Sequence, residues 1–344
     1  MVFGVPSPKS PGLATGFLLG LAALLIAGCS PTDPANILVP TGPVDRMEAD
    51  LFNLIYYIAI AVFIVVEGIL IYTVIRYRSR QPGEIPAQTH GNTLLEVTWT
   101  IIPCIILAVI AVPTLTTIVS ATTTTPPAGT NALNVKVVGH QFWWEFDYPD
   151  LGIVTADELH IPTGTRVDLD VGSADVIHSF WVPKLGGHVQ AIPNQKNGSW
   201  ILADTAGTYK AECFQLCGAS HANMRMIVVS ESQADFDKWV ANMKATAANP
   251  TAADAQKGAQ IFATGACTGC HTIDGTKAAG KVGPNLTHIG SHTTLAGAVL
   301  ENTPQNMAMW IHNPPAVKPG SIMPNLNLPD DQVTALVAYL ESLK

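Results

Sequence analysis

The stretch "ECFQLCGASHANM", Glu212 to Met224, sets two cysteines, a histidine and a methionine in a C-x3-C-x3-H-x2-M pattern. Thiolate, imidazole and thioether together form a soft ligand set, suited to copper. The flanking runs "TYKAECF" and "MRMIVVS" read as β-strands. Cys213 then closes one strand, Met224 opens the next, and the cluster lies on the loop between them. A loop held by a rigid sheet is a common seat of chemistry. A blue-copper site uses one cysteine, two histidines and a weak methionine. A second cysteine allows two thiolates to bridge two copper ions that share one electron, with little change of geometry on oxidation. Such a pair needs a second imidazole, and His178 in "ADVIHSFWVP" is the candidate, at the start of a strand well upstream. The backbone carbonyl of Gln215, between the thiolates, is placed for a further contact. Zinc is the rival metal, since Cys2His2 suits it too; the methionine and the β-rich surroundings favour copper.

Five further runs, "LNVKVVG", "FWWEFDY", "TRVDLDV", "HSFWVP" and "SWILAD", read as strands separated by Gly, Pro, Asn and Asp. This rhythm over residues 131–230 predicts a β-sandwich or Greek-key barrel. Residues 231–250 read as a polar helix ending in a linker. A second cysteine cluster follows in "ACTGCH", Ala266 to His271. C-x-x-C-H is the attachment motif of a c-type haem. The Cys267 and Cys270 thiols join the porphyrin through thioethers, and His271 falls beneath the iron as proximal ligand, all from one helical turn.

Towards the other end, the chain reads as a membrane hairpin. It has 344 residues, 48% hydrophobic and only 13% charged, with a formal net charge of -8. The charged share is about half that of ordinary soluble domains, and the acidic balance argues against a nucleic-acid partner. The six cysteines cluster, which favours metal or cofactor chemistry over a disulfide framework. "LATGFLLGLAALLIA" followed by "GCS" has the length of a signal-peptide core. Its ending resembles a bacterial lipoprotein signal, which makes residues 1–28 a removed signal peptide and Cys29 the lipidated first residue. Residues 29–44 form a linker. Spans are predicted over about 51–75 and 94–119, each long enough to cross a bilayer. The basic "RYRSR", Arg76 to Arg80, puts the turn between them in the cytoplasm and both ends of the chain outside. Each span holds a carboxylate, Glu67 or Glu96, which in lipid must face a partner or water. Pro103 and Pro113 are expected to kink the second span, and Cys104 to be a small buried residue.

Residues 45–230 resemble subunit II of the haem-copper cytochrome oxidases. The resemblance rests on the hairpin, "LLEVTWTIIP", "GHQFWWEFDYP", "HSFWVPKLGG" and the cysteine loop. It implies a cupredoxin-like Greek-key β-barrel with the family's dinuclear CuA centre on His178, Cys213, Gln215 (through its carbonyl), Cys217, His221 and Met224. It also implies Glu96 at the mouth of a proton path into subunit I. Two departures stand out. The family usually has Glu between the cysteines, where it helps bind magnesium at the subunit interface; the neutral Gln215 is a weaker magnesium ligand. The family's W-Y-W aromatic run is here Phe142-Trp143-Trp144, so electron input falls to Trp143 or Trp144 rather than to a leading Trp.

Residues 251–344 resemble an all-α class I cytochrome c. That likeness implies that the proline carbonyl of "GPNL", Gly283 to Leu286, orients His271. It makes Met323, in "PGSIMPNLNLPDDQVTALVAYLESL", the sixth ligand, which raises the haem potential and closes the iron to outside ligands. Met307 and Met309 are then expected in the core, and His288, His292 and His312 at the surface. The whole resembles a multidomain membrane protein of the caa3 type, with hairpin spans over residues 45–120. Its implied partners are subunit I, further subunits such as III, and a donor cytochrome or quinol-oxidising complex. Tethering the cytochrome replaces diffusion by a high effective concentration at the copper. The rival readings are the same subunit in a nitric oxide reductase, and a free electron carrier or copper store anchored by its spans. Glu96 favours oxygen reduction, and the carboxylates within the spans argue against a mere anchor.

Overall fold

The computed structural model describes residues 34–78, 90–124, 131–247 and 249–344, together with the isolated Gly16 and Gly20. The signal cleavage and the lipidation of Cys29 expected above lie outside the described residues. Two long helices come first, α1 (Pro43–Arg76) and α2 (Thr93–Thr122), both long and apolar enough to cross a membrane. Their Ile, Leu, Val and Phe side chains point outward along most of their length, as lipid requires. Asn92 caps α2, its side chain accepting from the Leu94 and Leu95 amides at 3.0 and 3.2 Å. Glu96 lies in the first turn of α2, where the helix dipole favours a negative charge. The helix runs on through Pro103 and Pro113. Cys104 is on an outward, exposed face of α2 rather than buried within the hairpin.

Helix α1 begins before the apolar run, and its first turns serve the exterior domain. Val44, Asp45 and Ala49 are buried there. Glu48 Oε1 accepts from the Gly187 amide at 3.0 Å, and Arg46 pairs with Asp204. From α2, the Ser120 carbonyl accepts from Trp200 Nε1 at 2.8 Å. The hairpin and the exterior domain are thus joined by polar contacts on both helices.

The exterior domain is a cupredoxin-like sandwich of ten strands: β1 (Ala132–His140), β2 (Trp143–Tyr148), β3 (Ile153–Ala156), β4 (Glu158–Pro162), β5 (Arg166–Ser173), β6 (His178–Val182), β7 (Gly186–Ala191), β8 (Asn197–Ile201), β9 (Gly207–Cys213) and β10 (Arg225–Glu231). One sheet runs β3-β2-β1-β5-β8 and the other β4-β10-β9-β6-β7. Between them, Val137, Trp144, Phe146, Leu159, Phe180 and Met226 make a dry core. Burying each such side chain contributes about 1.5–3 kcal/mol.

Seven of the ten strands coincide with runs legible in the sequence. The other three lacked a period-2 signal long enough to read. β3 and β4 are short and separated only by Asp157, which adopts a left-handed φ of 59°. That single residue turns the chain from one sheet into the other, and its side chain accepts from the Trp144 amide at 2.9 Å. β7 is "GGHVQA", whose glycines and polar residues hide an edge strand.

Helix α3 (Gln233–Met243) follows, capped by Ser232, and lays Trp239 flat on His160 at 4.6 Å between ring centres. The C-terminal domain is helical: α4 (Ala253–Thr264), α5 (Pro304–His312), the short α6 (Pro314–Val317) and α7 (Asp330–Ser342). Helices α4 and α7 cross closely because Gly258 carries no side chain; a Cβ there would stand 2.0 Å from the Ala335 carbonyl oxygen. Gly258→Ala is expected to force the crossing apart and destabilise this domain by about 1–3 kcal/mol. Denaturant unfolding followed at the haem absorption band reads the effect, and the β-domain transition should stay where it is.

Candidate metal centre and haem cavity

The β9–β10 pair builds the loop. The Cys213 amide donates to the Met224 carbonyl at 3.0 Å and the Phe214 amide to the Ser179 carbonyl at 2.9 Å, so the loop is tied to its own strand and to β6. Between these ties the six residues expected at the copper converge. Cys213 Sγ and Cys217 Sγ lie 3.9 Å apart. On the Cys213 side stand His178 Nδ1 at 3.9 Å and the Gln215 carbonyl at 3.3 Å. On the Cys217 side stand His221 Nδ1 at 3.6 Å and Met224 Sδ at 3.8 Å. The arrangement therefore has two ends, each with one imidazole and one weak ligand around the shared sulfur pair. His178 and Met224 are fully buried, and both cysteines nearly so. The Gln215 side chain is exposed, flanked by the exposed apolar Phe214 and Leu216.

The electrostatics suit a cation. The hydrogen bond from Cys217 holds the Cys213 thiol below its usual range, and the neighbouring Cys213 drives the Cys217 thiol up. Two thiols this close lose a second proton only with difficulty, and a soft cation bound between them would hold both as thiolates. His178 is buried, which opposes its charge, but Cys213 and Asp175 together raise its pKa.

Asp175 was not among the residues singled out from the sequence. Its Oδ1 lies 2.7 Å from His178 Nε2, so the Nε2 hydrogen is donated to the carboxylate and Nδ1 is left facing the thiols. An acidic residue three places before a candidate ligand was the signal available. The side-chain amide of Gln141, equally unmarked in the sequence, donates to the Cys217 carbonyl at 2.5 Å and braces the loop from β1's end. The backbone of β1 approaches His178 closely at Gly139, where a Cβ would come within 2.7 Å of the ring.

The aromatic run divides. Trp144 is fully buried, edge-on to His178 at 5.9 Å between centres. Trp143 stacks on His140 at 4.2 Å and, with Phe142, lines a cavity that opens towards the C-terminal domain. Glu96 sits at the far end of the hairpin.

The residues expected to hold the haem gather on that cavity. Cys267, Cys270, His271 and Met323 all line it, within an apolar wall that includes Leu286 and Leu336. His271 Nδ1 donates to the Pro284 carbonyl at 2.8 Å, which leaves Nε2 as a free lone pair, and burial lowers its pKa so the ring stays neutral. Thiols, a neutral imidazole and a thioether around one apolar cavity fit a c-type haem. Met307 is buried as expected and also lines the cavity, but Met309 is exposed at 47%. His288 and His292 are not at the surface. His288 is buried with Nε2 3.0 Å from the Ala245 carbonyl, and His292 lines the cavity with Nε2 3.5 Å from Thr155 Oγ1. Both are drawn inward by contact with the preceding domains. His312 is exposed.

Fold and sites define a membrane-anchored electron-transfer protein with a copper-binding β-domain and a c-type cytochrome domain. Residues 36–117 match the transmembrane domain of cytochrome c oxidase subunit II, residues 153–231 its periplasmic domain, and residues 255–344 cytochrome c. A cytochrome c oxidase subunit 2 from Alkalihalophilus pseudofirmus is 40% identical over 96% of this chain and 97% of its own length. Those of Bacillus subtilis and Bacillus sp. strain PS3 are 34% and 38% identical, each over 95% of this chain and 96% of theirs. The chain belongs to the cytochrome c oxidase subunit 2 family, with a cytochrome c domain at its C-terminus, and is part of an oxidase in which subunit II works with subunit I.

Asp175→Asn is expected to free the His178 ring and weaken copper binding by ~10–100-fold, with haem content unchanged. Copper titration of the metal-depleted protein, read by optical absorption, checks it.

Proposed function

We propose that this chain is the electron-input subunit of a caa3-type cytochrome c oxidase in a bacterial cytoplasmic membrane. Electrons from a donor cytochrome or quinol-oxidising complex arrive at haem c, cross to CuA and pass to subunit I, which reduces oxygen to water with proton pumping. One observation carries this reading: the two sites share a wall. Phe142 lines the haem cavity, and its neighbour Gln141 bonds the backbone of Cys217.

In this reading Cys267 and Cys270 attach the haem, and His271, held by Pro284, and Met323 are its axial ligands. His178, Cys213, Cys217, His221, Met224 and the Gln215 carbonyl hold the copper pair. Trp143, at the edge of the haem cavity, is the better placed of the two tryptophans for electron input; Trp144 lies behind it against His178. Burying the ligands excludes water and fixes their positions, which keeps reorganisation small. Glu96 is the mouth of a proton path at the cytoplasmic end of α2. The exposed Phe214 and Leu216 beside Gln215 suit an apolar partner surface, which is the subunit I side. Gln215 offers subunit I no carboxylate for magnesium. Residues 1–28 act as a lipoprotein signal and Cys29 carries the lipid. Further subunits such as III complete the assembly.

The purified native complex should consume oxygen and leave nitric oxide untouched; turnover of nitric oxide alone would make it a nitric oxide reductase. Cys217→Ser should abolish the mixed-valence copper signal in electron paramagnetic resonance while haem content stays at the wild-type level. A full copper signal in that variant would remove Cys217 from the site.

A further inference from the structure

The cytochrome domain is fastened to the copper domain through buried charges rather than resting against it. Glu158, at the start of β4, is only 2% exposed. Its Oε1 accepts four hydrogen bonds from the cytochrome domain: the amides of Thr293 and Thr294 at 2.9 and 2.8 Å, and both hydroxyls at 2.8 Å. Burial opposes the charge, but His160, His292 and the two threonines bring the carboxyl down to about 2, so Glu158 is ionised. A second charge crosses the other way. Lys318 of the cytochrome domain is 4% exposed, and its Nζ donates to the Phe142 carbonyl at 2.5 Å and to the Ala296 carbonyl at 2.8 Å. Asp157, the residue that switches the chain between sheets, lies close enough to oppose the effect of burial on this ammonium. Two further bonds to backbone carbonyls close the line between them. The Arg225 amide, on the strand leaving the copper loop, donates to the Gly297 carbonyl at 3.1 Å, and Ser220 Oγ donates to the Pro319 carbonyl.

A buried charge stripped of hydrogen bonds is costly, so separating the domains would take the four bonds from Glu158 Oε1 and the Phe142 carbonyl from Lys318, and both groups would have to be rehydrated. A domain that docked only in passing would carry exposed, screened charges at its contact face instead.

We propose that Glu158 and Lys318 are positioning residues of a permanent seam that holds the haem cavity against the copper loop. The seam occupies the face of the copper domain around Phe142, Ala219 and Asn223, where Gly320 and Gly297 press in. That face is closed to an external protein, so a soluble donor delivers electrons to the cytochrome domain only. The inference rests on the domain contact and is independent of which acceptor subunit I reduces.

The Arg225, Thr293 and Thr294 amides report on the seam from both sides, because each has its acceptor on the other domain. In the cofactor-loaded full chain they should exchange hydrogen far more slowly than exposed amides. Lys318→Met and, separately, Thr294→Val should accelerate all three together by about tenfold or more, with the haem and copper spectra intact. Fast exchange at all three in the wild type, or acceleration confined to the amide nearest the substitution, would overturn the proposal. Should Lys318→Met fail to retain haem, Thr294→Val decides on the same outcomes.

Discussion

Cys213 and Cys217 stand 3.9 Å apart in a nearly dry pocket, a spacing at which two bare thiolates repel one another. A shared proton or a bound cation must sit between them. The rest of the β-domain keeps the pair in that condition. β9 and β10 anchor the two ends of the loop, β6 supplies His178 and the carbonyl that holds Phe214, and Gln141 braces Cys217 from behind. No ligand is left to find its own place, and Asp175 fixes even the tautomer of His178. A centre whose ligands are already in position needs little rearrangement to gain or lose an electron, and that is the property an electron relay requires.

Asp157 links this centre to the rest of the molecule. Its left-handed backbone carries the chain from β3 in one sheet directly to β4 in the other, the tightest of the crossings between the two sheets. The same corner, with Glu158 beside it, projects the charges that meet the cytochrome domain. A sheet-switching residue and an interdomain contact thus share two adjacent positions.

The membrane hairpin is tied to the opposite region of the sandwich. Glu48 and Arg46 at the head of α1, and the carbonyls at the end of α2, bond β7, β8 and the loop after β8. These contacts orient the copper loop relative to the bilayer, which a flexible tether would leave undefined. Chemistry at two sites, anchored on one side by a membrane and on the other by a second domain, therefore rests on one rigid β-sandwich.

The sequence alone determined the elements whose signals are local. Two long apolar runs with a basic cluster between them read as a hairpin, since hydrophobic length is a one-dimensional property. The C-x-x-C-H motif and the C-x3-C-x3-H-x2-M loop were legible because their ligands must sit close along the chain to reach one cofactor. His178 was legible through its family-like surroundings. Only the tertiary structure decided the contacts made across long separations. Met309 turned outward, His288 and His292 turned inward, and Lys318, Glu158 and Asp175 acquired partners on other strands or another domain. A lysine or a glutamate carries no mark in the sequence of whether it will meet water or a buried carbonyl. That choice is made by how the domains pack, because desolvation depends on every surface that closes over the group.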